Sequence, residues 1–211
     1  MNKEQMLLQA RLYVIVDADL LGHKHLEKIT SQAVEGGADL VQFRDKTSDD
    51  REFLRAAESI KKITDSKDIP LIVNDRVDAA LFLDAAGVHL GQEDSPISVA
   101  RQILSKEKII GISVSDLKQA RKAQQDGADY IGVGPVFLTG TKKIEKAIGM
   151  KSVFEIKCNT SIPLFAIGGI NLGNVDGLVK KGIGKIAVVS AIVKAEDVKS
   201  AARKLKKRLQ S

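Results

Sequence analysis

Gln42, Arg44 and Lys46 stand at alternate positions of one short segment, two cations and an amide. In an extended strand, side chains two apart share a face, so the three point to one side. Packed against helices, Arg and Lys would be costly, so the expected side is an open interior where they converge on an anion such as phosphate. Asn74-Asp75-Arg76 and Gln92-Glu93-Asp94 close two further segments. A pair such as Asp75 and Asp94, set among cations, is a common way to hold Mg²⁺, which bridges to substrate phosphates. Either aspartate alone reads equally as a helix N-cap, Asp94 before Ser95-Pro96 in particular. Gly168-Gly169 and Val189-Ser190 suit an anion site built from backbone N–H groups, or else tight turns alone. Ser113, Ser115 and the run Thr139-Gly140-Thr141-Lys142-Lys143 add polar groups. No Ser/His/Asp or Cys/His arrangement is evident: His23 and His25 lie in a polar stretch, and His89 reads as packing. Many cations with few bases favour neutralising a leaving phosphate over abstracting a proton.

Short β-branched runs alternate with helix-period segments along the whole chain, and they would position these groups. The strand-like runs are Leu12–Asp17, Leu40–Asp45, Pro70–Asp75, Gly87–Gln92, Ile109–Val114, Tyr130–Val136, Pro163–Ile170 and Lys185–Ile192. Several are nearly continuous in Val, Ile and Leu, as strands buried on both faces must be. Between them, Asp49–Asp65 places Phe53, Leu54, Ala57, Ile60 and Ile63 on one helical face, and Asp116–Asp126 does so with Leu117, Ala120 and Ala123. Glycines follow the helices at Gly36-Gly37, Gly87, Gly127 and Gly182, each reading as a left-handed helix end before the next strand. Gly-Ala-Asp recurs at Gly37–Asp39 and Gly127–Asp129, a weak internal repeat. Strict alternation predicts an α/β fold, a single (β/α)₈ barrel over residues 1–211, with 1–11 as an N-terminal helical extension. An open doubly wound sheet is disfavoured, because no G-x-G-x-x-G follows the first strand. In such barrels function sits at the C-terminal strand ends, where the polar groups fall.

The 211 residues, 44% hydrophobic and 28% charged, suit one globular domain. Cys158 is the single cysteine, so no internal disulfide forms and no zinc-ligand spacing exists. The net charge of +6 is concentrated near Lys199–Arg208, where Val198, Ala202, Leu205 and Leu209 recur at helical spacing. That segment reads as a terminal helix with a solvated basic face. With 4% aromatic residues and no Trp, stacking platforms for nucleic acid are scarce. Apolar runs fall short of a membrane span, and residues 1–11 are too polar for a signal-peptide core, so a cytoplasmic location is expected. The long connection from Val136 to about Lys151 is expected to act as a lid.

Seven stretches in order over nearly the whole chain closely resemble the thiamine phosphate synthase family: VQFRDK (Val41–Lys46), LIVNDRVDAAL (Leu71–Leu81), GVHLGQED (Gly87–Asp94), IIGISV (Ile109–Val114), DYIGVGPVFLTGTK (Asp129–Lys142), AIGGI (Ala166–Ile170) and AVVSAI (Ala187–Ile192). The resemblance implies a (β/α)₈ barrel that couples hydroxymethylpyrimidine pyrophosphate to hydroxyethylthiazole phosphate with Mg²⁺, by a dissociative route. It further implies that Gln42 and Ser113 contact the pyrimidine substrate, with Arg44, Lys46, Asn74 and Lys142 around its pyrophosphate. Asp75 and Asp94 would ligate Mg²⁺, and Thr139, Thr141, Gly169, Val189 and Ser190 would hold the thiazole phosphate. Arg44, Lys46 and Lys142 would carry the catalysis. The partners implied are small molecules, with a homo-oligomer left open. Two positions depart from the family pattern: Gly140 stands where proline is frequent, and Phe43 where an aliphatic residue is usual. A related thiazole tautomerase would be expected to lack the aspartate pair and much of the cradle; a non-catalytic phosphometabolite-binding barrel would have a damaged cradle.

Overall fold

The computed structural model describes residues 2–138 and 146–210. Helix α1 (Lys3–Gln9) comes first, then β1 (Leu12–Asp17), a one-turn α2 (Ala18–Leu21), a 3₁₀ turn at His23–His25 and α3 (Leu26–Glu35). The alternation continues with β2 (Leu40–Arg44), α4 (Asp50–Asp65), β3 (Leu71–Asn74), α5 (Val77–Phe82), β4 (Gly87–Leu90) and α6 (Ile97–Ile103). It runs on through β5 (Ile109–Val114), α7 (Leu117–Gln125), β6 (Tyr130–Val133), α8 (Gly149–Cys158), β7 (Leu164–Ile167) and α9 (Val175–Val179). The last elements are β8 (Ile186–Val188), α10 (Ser190–Val193) and α11 (Val198–Gln210). The strands are parallel and close in order β1 to β8, with β1 pairing to both β2 and β8. This is the expected (β/α)₈ barrel.

Period-two alternation divides each strand between two cores. Leu12, Val14 and Val16 of β1 and Val41 and Phe43 of β2 face the helices. Phe43 lies against Phe53 of α4 with ring centroids 5.0 Å apart, so its departure from the family pattern is met by outward packing. Tyr13, Ile15, Leu40, Ile72, Ile109, Tyr130, Phe165 and Ala187 fill the barrel itself. Leu7 of α1 joins that inner cluster and is 1% exposed, so α1 covers the N-terminal end of the barrel. Gln42 and Arg44 therefore face inward toward the opposite, C-terminal mouth.

The Gly-Ala-Asp repeat has a structural reason. Asp39 Oδ2 accepts the N–H groups of Arg11 and Leu12, both at 2.8 Å, and Asp129 Oδ2 accepts that of Ile110 at 2.8 Å. Each aspartate thus satisfies backbone donors where the neighbouring strand begins.

Several boundaries differ from the sequence reading. The eighth segment is strand only to Val188; Ser190–Val193 turns helical, since a continuous apolar run carries no period to separate the two states. The sixth ends at Val133, before Pro135, which has no N–H for a ladder. The seventh is trimmed to Leu164–Ile167 and the second, third and fourth also shorten. On α4, Thr64 is buried and Ile63 only half-buried; burial of Thr64 is tolerated because its Oγ1 donates to Lys61 O at 3.0 Å. Left-handed backbone occurs at Gly37, Gly127 and Gly182 as expected, but after α5 it falls on Asp84 (φ 49°) and not on Gly87. Gly87 answers to space: a Cβ there would stand 2.1 Å from Ile109 O.

Candidate active site

A cavity of about 560 Å³, counted to its open mouth, occupies the C-terminal half of the barrel. Gln42, Arg44, Asn74 and Ser113 line it, with Tyr13, Asp17, His89, Tyr130, Phe165 and Val189. The inward pleat of β2, β3 and β5 brings the first four together, as the alternation predicts.

Arg44 is held from one side. Its Nη1 donates to Asp17 Oδ2 at 2.6 Å and to Asp19 Oδ2 at 3.1 Å. Asp17 is 2% exposed; burial pushes its carboxyl above the usual range, while the charge of Arg44 opposes that. Among the described residues, Asp17 Oδ1 has no hydrogen-bond partner. Asp19 also accepts the Lys46 N–H at 3.2 Å and the Thr47 hydroxyl at 2.9 Å, tying the turn after β1 to the one after β2. Sequence reasoning missed Asp19, whose only signal is its place two residues beyond Asp17.

Lys46 Nζ reaches Asp75 Oδ2 at 3.0 Å. Asp75 has φ 61°, a left-handed conformation that costs a non-glycine residue on the order of 1 kcal/mol or more. It is fixed there by its N–H, which donates to His89 O at 2.8 Å. Asp94 is not a helix cap: α6 begins after Pro96, and Asp94 Oδ2 turns back to accept Gly91 N–H at 2.6 Å. Burial first, then a hydrogen bond with the Asp75 carboxyl, raises the Asp94 pKa. Two carboxyls near enough to share a proton also fit a shared hard cation. Among the described residues no group of three or more His, Cys, Asp or Glu converges. Two carboxylates suffice for Mg²⁺, which usually keeps waters and takes its other oxygens from substrate phosphate.

On the far side, Gly168 (φ 100°) and Gly169 (φ 65°) are both left-handed. A Cβ would stand 2.6 Å from Pro135 Cα at the first and 2.6 Å from Leu138 O at the second, so neither tolerates a side chain. Asn171 and Asn174 both donate to Gly169 O, at 3.2 and 2.9 Å, which fixes that peptide. Val189 lines the cavity and Ser190 opens α10, exposed at the rim. Thr139, Thr141 and Lys142, with the heart of the expected lid, lie outside the described residues.

His89, read as packing, is instead part of a polar chain. Its Nδ1 meets Tyr130 Oη at 2.8 Å and its Nε2 meets Ser113 Oγ at 2.9 Å. Tyr130 Oη lies 2.9 Å from Tyr13 Oη, which accepts from Gln42 Nε2 at 2.7 Å. Neither tyrosine was singled out from sequence. The available signal was glycine inside strands: a Cβ on Gly111 would fall 2.1 Å from the Tyr130 ring, and one on Gly132 would lie 3.2 Å from the His89 ring. His23 Nε2 meets Ser48 Oγ at 2.8 Å and Asp45 Oδ2 at 3.0 Å. Serine and aspartate sit on the same ring nitrogen, so this trio lacks the geometry of a nucleophilic triad.

A family model described as thiamine monophosphate synthase matches residues 12–192. The chain is 46% identical over 201 residues to a thiamine-phosphate synthase of Clostridium botulinum (strain Kyoto / Type A2), covering 95% of this chain and 98% of that one. It is 47% identical over 194 residues to the thiamine-phosphate synthase of Ruminiclostridium cellulolyticum, covering 92% of each. Among solved structures, thiamine phosphate pyrophosphorylase from Pyrococcus furiosus superposes with a TM-score of 0.88 at 40% identity, covering 99% of this chain and 98% of that one. With matches of this extent and a barrel closed as the resemblance implied, the chain belongs to the thiamine monophosphate synthase family.

Proposed function

We propose that this protein is a transferase that joins hydroxymethylpyrimidine pyrophosphate to hydroxyethylthiazole phosphate, forming thiamine phosphate and releasing pyrophosphate. The observation that carries the reading is one cavity lined by Gln42, Ser113, Arg44 and Asn74, next to the linked set Lys46, Asp75 and Asp94. The interior suits a flat nitrogen heterocycle, and the rim suits a polyphosphate with a cation. The aspartate pair favours coupling over the isomerising relative, which needs no diphosphate cradle.

In this reading Gln42 and Ser113 hold the pyrimidine while Asn74, Arg44, Lys46 and Lys142 surround its pyrophosphate. Mg²⁺, held when bound by Asp75 and Asp94, would supply charge neutralisation to the departing pyrophosphate. The bond from the pyrimidine methylene carbon to the pyrophosphate oxygen breaks with both electrons leaving on oxygen. The electron-rich aminopyrimidine stabilises the resulting cation, and the thiazole nitrogen donates its lone pair to the methylene carbon. Gly169, Val189 and Ser190, with Thr139 and Thr141, hold the thiazole phosphate so that this nitrogen faces the carbon. No general base is required, since the thiazole nitrogen attacks through a lone pair and carries no proton to remove. Closing the cavity keeps water from the cation.

Incubating the purified protein with both substrates and Mg²⁺, then detecting thiamine phosphate and pyrophosphate in equal amounts, tests the reading. Pyrimidine alcohol as the sole product, or no turnover, would overturn it.

A further inference from the structure

The five-membered chain Gln42–Tyr13–Tyr130–His89–Ser113 crosses the barrel from β2 to β5, through β1, β6 and β4. Its middle members lie below the residues expected to touch substrate, and Tyr13 and Tyr130 are only 1% and 0% exposed. The closest link joins Gln42 Nε2 to Tyr13 Oη at 2.7 Å. We propose that Tyr13, Tyr130 and His89 are positioning residues, forming a one-way hydrogen-bond chain that makes Gln42 the acceptor and Ser113 the donor toward the bound heterocycle. The chain would thereby select an amino- over an oxo-substituted pyrimidine.

The direction follows from counting protons. An amide nitrogen only donates, so Tyr13 Oη accepts from Gln42 and passes its single proton to Tyr130. Tyr130 then accepts from Tyr13 and donates to His89 Nδ1. Burial raises the pKa of both phenols, so each keeps that one proton. With Nδ1 accepting, a neutral His89 carries its proton on Nε2 and donates to Ser113 Oγ. The serine proton is then turned to the cavity, and at the other end so is Gln42 Oε1. An aminopyrimidine offers an exocyclic N–H to the acceptor and a ring nitrogen to the donor. A 4-oxopyrimidine presents the reverse pattern and would need the whole chain inverted. Reversal at one end alone leaves two protons, or none, on some buried link, which is costly away from water. Gly111 and Gly132 give the Tyr130 and His89 rings the space to line up.

The identity of the heterocycle rests on the proposed coupling reaction; the direction of the chain does not. Nitrogen NMR of the full chain labelled at its 3 histidines, with His89 identified by the signal lost in His89→Gln, reads the direction without substrate. The expected result is a protonated Nε2 and an unprotonated Nδ1; the opposite tautomer overturns the proposal. Calorimetry then compares the aminopyrimidine pyrophosphate with its 4-oxo counterpart, on the wild type, Tyr130→Phe and Tyr13→Phe. The wild type should prefer the amino form, and each variant should lose at least ~10-fold of that preference while binding thiazole phosphate unchanged. Equal wild-type affinity for the two pyrimidines, or none for either, overturns the selection. So does an equal loss for both pyrimidines in variants that melt like the wild type. Failure of the wild type to make thiamine phosphate, with tautomer and preference as stated, would sink the coupling reaction alone.

Discussion

Lys46 Nζ lies 3.0 Å from Asp75 Oδ2, so the cation proposed for pyrophosphate and the carboxylate proposed for metal neutralise each other. In the proposed complex the exchange of partners would be nearly balanced in charge, pyrophosphate taking the lysine and a divalent cation the aspartate. Turnover should therefore require Mg²⁺ or a close substitute. Asp75→Ala and Asp94→Ala should each lower kcat by at least ~10²-fold, the scale of losing a charge-stabilising group. Full turnover in excess chelator would remove the metal from the site.

Asp17 supports Arg44 from behind, and its Oδ2 is the nearer of the two acceptors. Asp17→Asn keeps the volume and removes the charge. The expected loss in kcat/KM is on the order of 10-fold, seen mainly as weaker pyrimidine pyrophosphate binding, with thiazole phosphate unaffected. Arg44→Lys should do no better, since a single ammonium cannot serve two aspartates and a phosphate with fixed geometry. Steady-state kinetics with each substrate varied in turn decides it; an unchanged KM for the pyrimidine would make the Asp17 contact purely structural.

The two proposed anion sites should separate by mutation. Ser190→Ala and Gly169→Ala are expected to weaken thiazole phosphate and to leave the pyrimidine pyrophosphate nearly untouched. Gly169→Ala also forces a Cβ to 2.6 Å from Leu138 O at φ 65°, so its melting temperature should fall, while Ser190→Ala should melt like the wild type. Titrating each ligand separately checks the division. Equal losses for both ligands would mean the sites are not distinct.

The barrel was legible because strands buried on both faces write themselves as Val/Ile/Leu runs, and the alternation of Gln42 and Arg44 by itself places them inside. Strand ends were less legible. The apolar run through Ala187–Val193 contains both β8 and α10, and hydrophobicity alone does not mark where one becomes the other. The rim cations and aspartates stood out because charge is unusual at strand ends. Tyr13, Tyr130 and His89 did not, because a buried aromatic in a strand looks like core until its hydroxyl or ring nitrogen finds a partner across strands. Asp19 was hidden in a helical turn whose contact with Arg44 spans 25 residues.

At the opposite end of the barrel, Lys185 Nζ donates to the carbonyls of Leu7, Leu8 and Ala10, at 3.0, 2.6 and 2.6 Å, and lies 5.8 Å from the Phe165 ring centre. It thus satisfies carbonyls at the C-terminus of α1 that the helix leaves open. Burial, then the nearby charge of Arg11, lowers its pKa from 10.5 to about 8; Asp39 opposes the shift and Lys206 adds to it. For a lysine this direction means that the fold disfavours the charged form. Between about pH 8 and 10.5 the unfolded chain holds a proton at Lys185 that the native chain has released. Stability contributed by this residue therefore rises with pH across that window and is flat below it. Lys185→Met keeps the stem against Phe165 and abolishes the titration, at the cost of uncapping α1. The stability difference, wild type minus variant, should accordingly grow from pH 8 to 10.5 when followed by urea denaturation. Taking the difference cancels the phenol titrations of Tyr13 and Tyr130, which both proteins share. A difference that is constant with pH, or that shrinks, would mean that Lys185 stays charged in the fold and acts only as a cap.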